Sequence, residues 1–544
     1  MRLVHAQYVA PRILYGLLTM HETKSMDRPT TGTPHAPDGT AADIPSVLTS
    51  LALSQPGIAA ILAPGRPPLD FAGLHAQMEY VHRTFGAWGI GRGDPVAVLL
   101  PKGPEMAVAC AVLPAGATCV PLDATSSVED YVRLFRRCAV RALVTPRHTD
   151  CAAIHAAERT GLMRIELATD PSAPAGRFEL NPVSRAAPPS DKSPCGPDIA
   201  YILSTSGTTA ERKLVPIGHR KIVGYSTAMK TWFGHTSADV SLHLVPHHLA
   251  HGIKSALMVP LLAGTSIVCP TEVRVDAFYQ LLEQYRPTWF TAGFSVHREI
   301  LRGIDRYREI VDGTRLRFLR SGSGKLEPEE IARLEDAFRA PMVIPLSSTE
   351  TCLIAASPLP PRQRKRGSVG LPVVNEVAIR GEDGRFLGPD QEGEIVVRGP
   401  LVFDGYLDDP AMTERAFVDG WYRTGDVGKR DGEGYLYLTG RIKDVINRGG
   451  EKIAPAEIDA VLEAHPAVAE AAAFGMPHPT LGELVVAAVV PRPGARLDEK
   501  TLRQHVRARL APAKVPSRIF VVDSLPRTEG GKLRRGELRD ALTP

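Results

Sequence analysis

Two kinds of apolar segment alternate along most of this chain, and this alternation is the strongest constraint on its fold. Short runs rich in β-branched residues, such as PVAVLLP (95–101) and TSIVCP (265–270), have the pattern of buried strands. Longer mixed segments, such as VEDYVRLFRRC (128–138), have the composition of helices. Strands that alternate with helices form a mostly parallel sheet covered by helices. The sequence therefore predicts an α/β fold.

The length of the chain predicts several structural units, because 544 residues are too many for one core. Residues 1–43 contain many Thr, Pro and Gly residues and predict a disordered lead-in. Beyond residue 393 the pattern changes to short strands with glycine turns, as in GEIVVRGP (393–400), before a final α/β stretch. The C-terminal part should therefore differ in architecture from the rest.

Charge and cysteine content exclude several classes of protein. The 64 basic and 60 acidic residues nearly balance, whereas a nucleic-acid-binding protein would show a concentrated basic face. No apolar run approaches the roughly 20 residues of a membrane helix. The seven cysteines are scattered without a CxxC pair, which argues against a disulfide framework or a zinc site. We expect a cytoplasmic protein that binds neither nucleic acid nor a membrane.

The segment STSGTTAERK (204–213) has the chemistry of a phosphate-binding loop. Small hydroxyl residues and a glycine let a loop surround an anion with N–H and O–H donors, and Lys213 adds a full charge. The Walker pattern is absent here. The segment SGSGKLE (321–327) resembles its end, but Leu319 stands in place of the first glycine and Leu326 in place of Ser or Thr.

Further motifs follow this loop in a fixed order, and together they carry a family resemblance. They are STE (348–350), YRTGD (422–426), GRIKDVINRGGEKIAPAEID (440–459) and LPRTEGGKLRR (525–535). From about residue 44 to the C-terminus the chain resembles the adenylate-forming superfamily of acyl-CoA ligases, adenylation domains and luciferases. Three further segments are most similar to the oxalyl-CoA synthetase-like branch: FTAGFSVHREIL, RLRFLRSGSGKLEPEEIARLEDAF and SPLPPRQRKRGSVGLPV.

The resemblance implies a two-domain enzyme. A large N-terminal domain of stacked α/β subdomains with a distorted barrel would cover residues 44–441, and a small mobile α+β domain would cover 442–544. The pair Lys443-Asp444 matches the hinge between them. The implied reaction uses ATP and Mg²⁺ to activate a carboxylic acid as an acyl-adenylate, and then passes the acyl group to the thiol of CoA.

The same resemblance assigns the binding of ATP and CoA. The hydroxyl-rich loop would hold the β- and γ-phosphates, and the carboxylate of YRTGD would accept hydrogen bonds from the ribose. The loop that contains Arg448-Gly449-Gly450 would reach the site during acyl transfer. The residues assigned are Thr205, Ser206, Gly207, Thr208, Thr209, Lys213, Ser323, Asp426, Arg441, Lys443, Gly449 and Gly450.

Four residues are assigned to catalysis by the same matching. Lys532, in a Gly-Gly-Lys turn, would bridge the substrate carboxylate and the α-phosphate, where charge builds up during the reaction. Thr349 would contact the α-phosphate, and Glu350 would ligate Mg²⁺, a hard cation that favours oxygen ligands. His248 lies near the position of a Phe-His pair that is usual in the family. The predicted substrate pocket contains His247, His251, Phe294, Gly322 and Cys352.

The chain departs from the family pattern at several positions. Ala210 and Arg212 replace the usual Gly and Pro of the phosphate loop, and Leu346 replaces an aromatic residue that stacks on adenine. The histidines of PHHLAHG (246–252) could gate the site, bind the carboxylate, bind a metal ion or simply pack. A histidine of oxalate-specific relatives is missing after Glu350. The apolar segment there, with Phe294, favours an apolar or aromatic acid.

Three functions fit these motifs. The first is a small-molecule acid–CoA ligase that releases AMP and pyrophosphate. The second passes the same adenylate to the phosphopantetheine thiol of a carrier protein, or to an amine. The third is a non-catalytic nucleotide-binding protein on the same scaffold. The departures at Ala210 and Leu346 favour the third, whereas the presence of Lys532, Glu350 and Asp426 favours an enzyme.

Overall fold

The computed structural model describes residues 43–184, 196, 198–205, 213–322, 326, 328–528 and 532–542. Residues Ala42–Pro544 form one compact unit. The lead-in predicted for residues 1–43 lies outside the described residues, except for Asp43. Five sheets organise the described chain, and they fall into three consecutive regions of the sequence.

The first fourteen strands build two seven-stranded sheets that are mostly parallel. One sheet has the order β14-β13-β12-β10-β11-β1-β2, and the other has the order β7-β6-β5-β3-β4-β8-β9. Only the β1–β2, β6–β7 and β8–β9 pairs are antiparallel. The strands are β1 Ala59–Leu62, β2 Leu69–Asp70, β3 Pro95–Val98, β4 Thr118–Pro121, β5 Ala142–Pro146, β6 Met163–Thr169, β7 Phe178–Pro182, β8 Ile199–Ser204, β9 Leu214–Gly218, β10 Val240–His243, β11 Ser266–Val268, β12 Trp289–Gly293, β13 Phe318–Gly322 and β14 Met342–Val343.

Helices connect these strands and cover the sheets, as the alternating sequence pattern predicts. They are α1 Ile44–Ser54, α2 Phe71–Ala87, α3 Pro104–Val112, α4 Val128–Arg137, α5 Ala152–Thr160, α6 His219–Phe233, α7 Val259–Ala263, α8 Val275–Tyr285, α9 Phe294–Gly303, α10 Arg308–Gly313 and α11 Pro328–Phe338. A short 3₁₀ helix, Leu113–Ala115, follows α3. A π-helix, His251–Met258, leads directly into α7. Because π-helical turns are rare and often occur at functional sites, this segment is of special interest.

Helix α4 illustrates why these segments are helical. The Ser127 side chain accepts a hydrogen bond from the Asp130 backbone, and the Asp130 carboxylate accepts one from the Ser127 backbone, which forms a capping box. Acidic residues occupy its first turn and two arginines its last turn, which complements the helix dipole. Its buried face carries Tyr131, Val132 and Phe135.

The next region is antiparallel. Its strands are β15 Ala355–Ala356, β16 Leu371–Pro372, β17 Glu376–Arg380, β18 Gly393–Arg398, β19 Phe417–Val418, β20 Trp421–Arg430 and β21 Leu436–Arg441, with α12 Pro410–Ala416 between β18 and β19. Strands β15 and β16 pair with each other, and the other five form one sheet.

The C-terminal region is a separate α+β layer. It contains β22 Ile446–Arg448, β23 Glu451–Ile453, β24 Val468–His478, β25 Gly482–Pro491 and β26 Arg518–Val521, with the helices α13 Pro455–Glu463, α14 Glu499–Arg507 and α15 Arg535–Leu542. One apolar cluster packs α13 and α14 against the sheet through Ile458, Leu462, Leu502 and Val506. A second cluster includes Leu538 of α15. Helices therefore cover both faces of this sheet.

The predicted fold class is confirmed: a large α/β region is followed by a small α+β region. The described part of the chain contains no helix that is both long and apolar enough to cross a membrane. The six cysteines within it form no disulfide.

One buried carboxylate ties together the starts of three neighbouring strands. Asp239 precedes β10, and its carboxylate accepts hydrogen bonds from the Thr236 backbone, the Thr288 hydroxyl before β12 and the Arg317 guanidinium before β13. Burial alone would raise the pKa of Asp239, but these donors outweigh it and lower the pKa. Asp239 therefore fixes the edge of the sheet opposite to the carboxyl ends of its strands.

We expect Asp239→Ala to lower the free energy of unfolding by about 3 kcal/mol, because it removes a buried carboxylate and its hydrogen bonds from Arg317, Thr236 and Thr288. The midpoint of urea unfolding would measure this loss. The matched control is Glu299→Ala, which removes an ion pair between two exposed side chains, Glu299 and Arg302, and should change stability by less than about 0.5 kcal/mol. Equal effects of the two substitutions would contradict the role assigned to Asp239.

Candidate active site

The ends of the predicted phosphate loop are held together by a hairpin. Strands β8 and β9 pair antiparallel, with Ser204 opposite Leu214, and the Thr205 amide donates to the Lys213 carbonyl at 2.9 Å. The Thr205 hydroxyl is buried and has no hydrogen-bond partner among the described residues. The predicted residues Ser206, Gly207, Thr208 and Thr209 lie outside the described residues, as does Ser323.

A tyrosine links the lysine of this loop to the predicted metal ligand. The Lys213 ammonium donates to the Tyr406 hydroxyl at 3.3 Å, and that hydroxyl donates to Glu350 Oε1 at 3.1 Å. The Lys213 nitrogen also lies 4.8 Å from the centre of the Tyr406 ring. Burial, and then the negative charge of Glu350, raise the pKa of Tyr406, so the phenol stays protonated. Lys213 and Glu350 therefore both form a hydrogen bond with the Tyr406 hydroxyl.

The turn that carries Thr349 and Glu350 is fixed through its backbone. The Phe403 amide donates to the Glu350 carbonyl at 2.6 Å. The Thr351 amide donates to the Ser348 hydroxyl at 3.1 Å, and the Asn375 side-chain amide donates to the Thr351 carbonyl at 3.1 Å. Glu350 is buried and Thr349 is half-buried. These bonds hold the two predicted catalytic side chains in one orientation.

A buried lysine completes this support, and sequence reasoning missed it. Lys254, in the π-helix, is 2% exposed, and its ammonium donates to the Ser348 carbonyl at 2.7 Å. Burial lowers the pKa of Lys254, while the charges of Cys352 and Glu350 act in the opposite direction. The available signal was a single lysine inside the apolar run GIKSALM (252–258). Lys254 thus links the π-helix to the turn of Thr349.

The predicted ribose ligand lies opposite an arginine across two strands. Asp426 of β20 is paired in register with Arg441 of β21, and the Arg441 Nε atom lies 2.9 Å from Asp426 Oδ1. The two groups are not aligned for a hydrogen bond. The Oδ1 atom is buried and has no hydrogen-bond partner among the described residues, so it can accept a hydrogen bond from a ligand. Burial raises the pKa of Asp426, against the positive charges of Arg441 and Lys532.

The C-terminal region brings Lys532 to the same place. Lys532 is exposed to solvent on one side. The protein atoms that surround it elsewhere remove water from the ammonium, and this is the main reason why its pKa is lowered. Repulsion from Arg441 and Lys443 lowers it further, and attraction to Asp426 and Glu350 opposes the shift. Its backbone forms a tight turn, because the Thr528 amide donates to the Lys532 carbonyl at 2.8 Å. The charges of Asp426 and Glu350 therefore both act on the Lys532 ammonium.

The segment between the two regions is exposed. Arg441 and Lys443 are exposed, and Lys443 lies in a single 3₁₀ turn, Ile442–Asp444. Gly449 and Gly450 form the turn between β22 and β23, with φ of 61° and 89°, which glycine adopts without strain. The Gly449 amide donates to the Leu481 carbonyl at 2.7 Å. No described hydrogen bond or ion pair connects these glycines to Asp426 or Glu350.

The predicted acid pocket contains a histidine against a glycine. A Cβ atom at Gly322 would lie 2.7 Å from His251 Cε1, so the imidazole fills the space that any larger residue would need. His251 Nε2 lies 2.7 Å from the Thr291 hydroxyl and 2.6 Å from Arg320 Nη1. Arg320 is 3% exposed and forms no ion pair with a described carboxylate. Sequence reasoning missed Arg320, although an arginine inside strand β13 was a visible signal.

The other predicted pocket residues lie in different surroundings. Cys352 is buried, and its thiol interacts with the Lys254 ammonium. The ring of Phe294 lies between two guanidinium groups, with the Arg298 carbon 5.3 Å and the Arg527 carbon 5.1 Å from its centre. Phe294 therefore contacts the C-terminal region as well as its own helix.

The histidines of PHHLAHG do not form one site. His251 turns toward Arg320, whereas the buried His247 ring lies 4.2 Å from the ring centre of His243. His248 is half-buried. Within the described ranges, His247, His248 and His251 do not form a group that could share a metal ion, so this alternative for the three histidines is wrong.

Comparison with known sequences gives a consistent result. Residues 52–407 match the family AMP-binding enzyme, and residues 457–532 match the AMP-binding enzyme C-terminal domain. The chain is 35% identical to an oxalate–CoA ligase of Arabidopsis thaliana, covering 90% of this chain and 96% of that protein. It is 34% identical to a sulfoacetate–CoA ligase of Cupriavidus necator (86% and 92%) and to an indoleacetate–CoA ligase of Aromatoleum aromaticum (90% and 96%).

Solved structures show the same architecture. ATP-bound MatB from Rhodopseudomonas palustris superposes with a TM-score of 0.82 at 26% identity, covering 92% of this chain and 99% of that one. The amide bond synthetase McbA from Marinactinospora thermotolerans superposes with a TM-score of 0.79 at 26% identity, covering 92% and 100%. The likeness extends over both the large and the small region.

We expect Lys254→Met to lower the rate of acid-dependent ATP–pyrophosphate exchange by between about 10-fold and 100-fold, because the turn of Thr349 loses its support. Its thermal midpoint should stay near that of the unaltered protein, since methionine removes a desolvated charge at similar volume. Lys230→Met, at an exposed lysine of α6, is the control and should change neither quantity. A variant that exchanges at the full rate would show that Lys254 has no positioning role.

Proposed function

This chain belongs to the AMP-binding enzyme family, and from that premise we propose how its residues perform the reaction. Its activity is ATP-dependent ligation of a carboxylic acid to CoA. The acid's carboxylate oxygen bonds to the α-phosphorus of ATP as pyrophosphate leaves. The thiol of CoA then loses its proton and bonds to the acyl carbon, and AMP leaves. The fold and the CoA ligases among its relatives support this reaction.

One observation supports the residue assignments most strongly: Lys532 shares an electrostatic environment with Glu350 and Asp426. Adenylation brings a carboxylate against a phosphate, so a positive charge between them stabilises the transition state. Lys532 supplies that charge from the C-terminal region. Burial lowers the pKa of Lys532, while the negative charges of Asp426 and Glu350 oppose that shift and favour the ammonium form.

The nucleotide is held on both sides of this lysine. Asp426 accepts hydrogen bonds from the ribose hydroxyls, using the buried oxygen that has no aligned donor. The Thr205 hydroxyl and Lys213 contact the β- and γ-phosphates at the ends of the hydroxyl-rich loop. Thr349 donates its hydroxyl to the α-phosphate. These roles follow from the family motifs.

Glu350 fits a magnesium ion. Its carboxylate is buried, and Oε1 accepts a hydrogen bond from the neutral phenol of Tyr406. A hard cation favours such an oxygen ligand. Mg²⁺ bound there would offset the charge of the phosphates. Tyr406 orients the carboxylate and connects it to Lys213.

Transfer to CoA requires a second arrangement of the C-terminal region. We assign residues 44–441 to the N-terminal domain and 442–544 to a mobile domain that turns about Lys443-Asp444. Ile442 and Lys443 of the 3₁₀ turn at this point are exposed, which favours such a rotation. In the second arrangement Lys532 leaves the site and the Gly449-Gly450 turn enters it, next to the pantetheine of CoA.

The acid is small and, by our assignment, apolar or aromatic. Cys352, Leu353 and Ile354 are all at most 1% exposed and follow directly after the catalytic turn. Arg320 provides the contrasting signal, because a buried guanidinium beside His251 would also suit an acid with a second polar or anionic group. The His247 ring lies 4.2 Å from the ring centre of His243, whereas His251 contacts Arg320.

CoA is the acceptor for which the relatives' names provide support, and an amine is the specific alternative. The structural likeness to an amide bond synthetase favours that alternative over a carrier protein. A non-catalytic protein would have no need for a lysine placed next to Glu350 and Asp426. We further propose a cytoplasmic location, which the scattered cysteines favour.

A panel of acids and acceptors tests the proposed function. We expect pyrophosphate release with indoleacetate or a similar aromatic acid, and formation of the acyl-thioester when CoA is present. Oxalate and sulfoacetate form the dianionic arm of the panel. An amine that replaced CoA as the better acceptor would contradict the assignment of a CoA ligase. The absence of release with every acid, despite ATP binding, would contradict the assignment of an enzyme.

Lys532→Ala should separate the two half-reactions. Adenylate formation is expected to fall by about 10²–10³-fold, because one transition-state donor is removed. Transfer to CoA from a supplied acyl-adenylate should continue, because Lys532 is outside the site in that step. Lys500→Ala, at an exposed lysine of α14, is the control. An equal loss of both half-reactions in Lys532→Ala would contradict the proposed domain rotation.

A further inference from the structure

A second group of buried polar side chains lies at the carboxyl ends of two neighbouring strands. His243 is the last residue of β10, Cys269 follows β11, and these parallel strands pair with Leu242 opposite Val268. His243 and Cys269 therefore occupy adjacent positions at one edge of the sheet. His247 lies four residues beyond His243, in the loop that leads to the π-helix.

The three side chains converge to the spacing of a metal site. The His243 and His247 nitrogens and the Cys269 sulfur that could act as ligands all lie within 4.8 Å of one another. The two imidazole rings are nearly perpendicular, at 87°, with centres 4.2 Å apart. Exposed fractions are 0% for His243, 3% for His247 and 0% for Cys269. Both rings and the sulfur thus lie together inside the protein.

The hydrogen-bonding state of this group needs an explanation. None of the four ring nitrogens of His243 and His247 has a hydrogen-bond partner among the described residues. Buried polar groups in folded proteins are nearly always paired, and an exception points to a bound ion or water. A water would need two to four polar partners, whereas a metal ion uses the ring lone pairs and the sulfur directly.

We propose that His243, His247 and Cys269 bind one thiophilic transition-metal ion, Zn²⁺ or Cu⁺. Two imidazoles and one thiolate, without a carboxylate, are the ligand set that such ions prefer over Mg²⁺ or Ca²⁺. On binding, the Cys269 thiol releases its proton to solvent and the sulfur bonds to the metal. The site goes beyond the proposed ligase activity, because Mg²⁺ would be held by the oxygen ligand Glu350.

One basic side chain lies near this group. The Lys102 ammonium nitrogen is buried and has no hydrogen-bond partner among the described residues.

The position of the site indicates its role. A metal ion would join the ends of β10 and β11 to the loop that carries His248 and leads to His251 and Lys254. It would therefore fix the segment from which the acid pocket and the support of Thr349 are built. The role is structural, since no ligand comes from the residues assigned to ATP.

Metal content tests this proposal in the full-length protein without an affinity tag. After incubation with Zn²⁺, or with Cu⁺ under reducing conditions, and removal of unbound metal, we expect one equivalent per chain by mass spectrometry of the metal. With Co²⁺ as a probe, a thiolate-to-cobalt absorption band should appear. Cys269→Ser should abolish the band, and His243→Leu and His247→Leu should lower the metal content below one-tenth of an equivalent.

The matched control is Cys138→Ser, which alters a buried cysteine at the end of α4 and should leave both the content and the cobalt band unchanged. The two leucine variants remove unpaired polar groups, so they are expected to fold. Bound metal in either the Zn²⁺ or the Cu⁺ arm that depends on all three residues supports the site and identifies the ion. Failure to retain either metal, or retention that is independent of the three residues, overturns the proposal.

Discussion

The proposed active site depends on one electrostatic arrangement, in which a lysine near the C-terminus lies in the field of two buried carboxylates. Lys532 is separated by about a hundred residues or more from Asp426 and Glu350, yet each affects the pKa of Lys532. A buried carboxylate is costly without a compensating charge. We therefore propose that the nucleotide site is complete only when the C-terminal region is docked, which would couple catalysis to the position of that region.

The catalytic side chains are held by residues that would not touch the reacting atoms. Lys254 binds the carbonyl of Ser348, and Tyr406 binds the carboxylate of Glu350. Both supporting residues are buried, and both belong to elements other than the catalytic turn itself. The π-helix positions Lys254, which gives this irregular helix a physical reason to exist. The orientation of Thr349 and Glu350 thus depends on the residues that pack behind them.

Sequence patterns predicted more of the fold than of the site. Alternating strands and helices predicted the two parallel sheets, because buried strands require continuous apolar runs. The motifs predicted Asp426 and Lys532, but they could not indicate that Arg441 faces Asp426 or that Lys213 reaches Tyr406. Those contacts depend on strand register and tertiary packing.

The missed residues share one property, which is that their chemistry arises from burial. Arg320 and Lys254 look like ordinary basic residues in sequence, and only the structure shows that neither forms an ion pair with a described carboxylate. The histidine-rich segment misled for the same reason. Its members face different directions, and the true neighbours of His247 are His243 and Cys269, which lie on two separate strands.

The most direct measurement of the central claim is a crystal structure with a non-hydrolysable acyl-adenylate analogue. We expect the ribose hydroxyls to donate to Asp426 and the Lys532 ammonium to contact the linkage between the acyl group and the nucleotide. We also expect the acyl group to lie beside Gly322 and His251. An analogue whose ribose is bound away from Asp426, with Lys532 remote from the linkage, would contradict the roles assigned to these two residues.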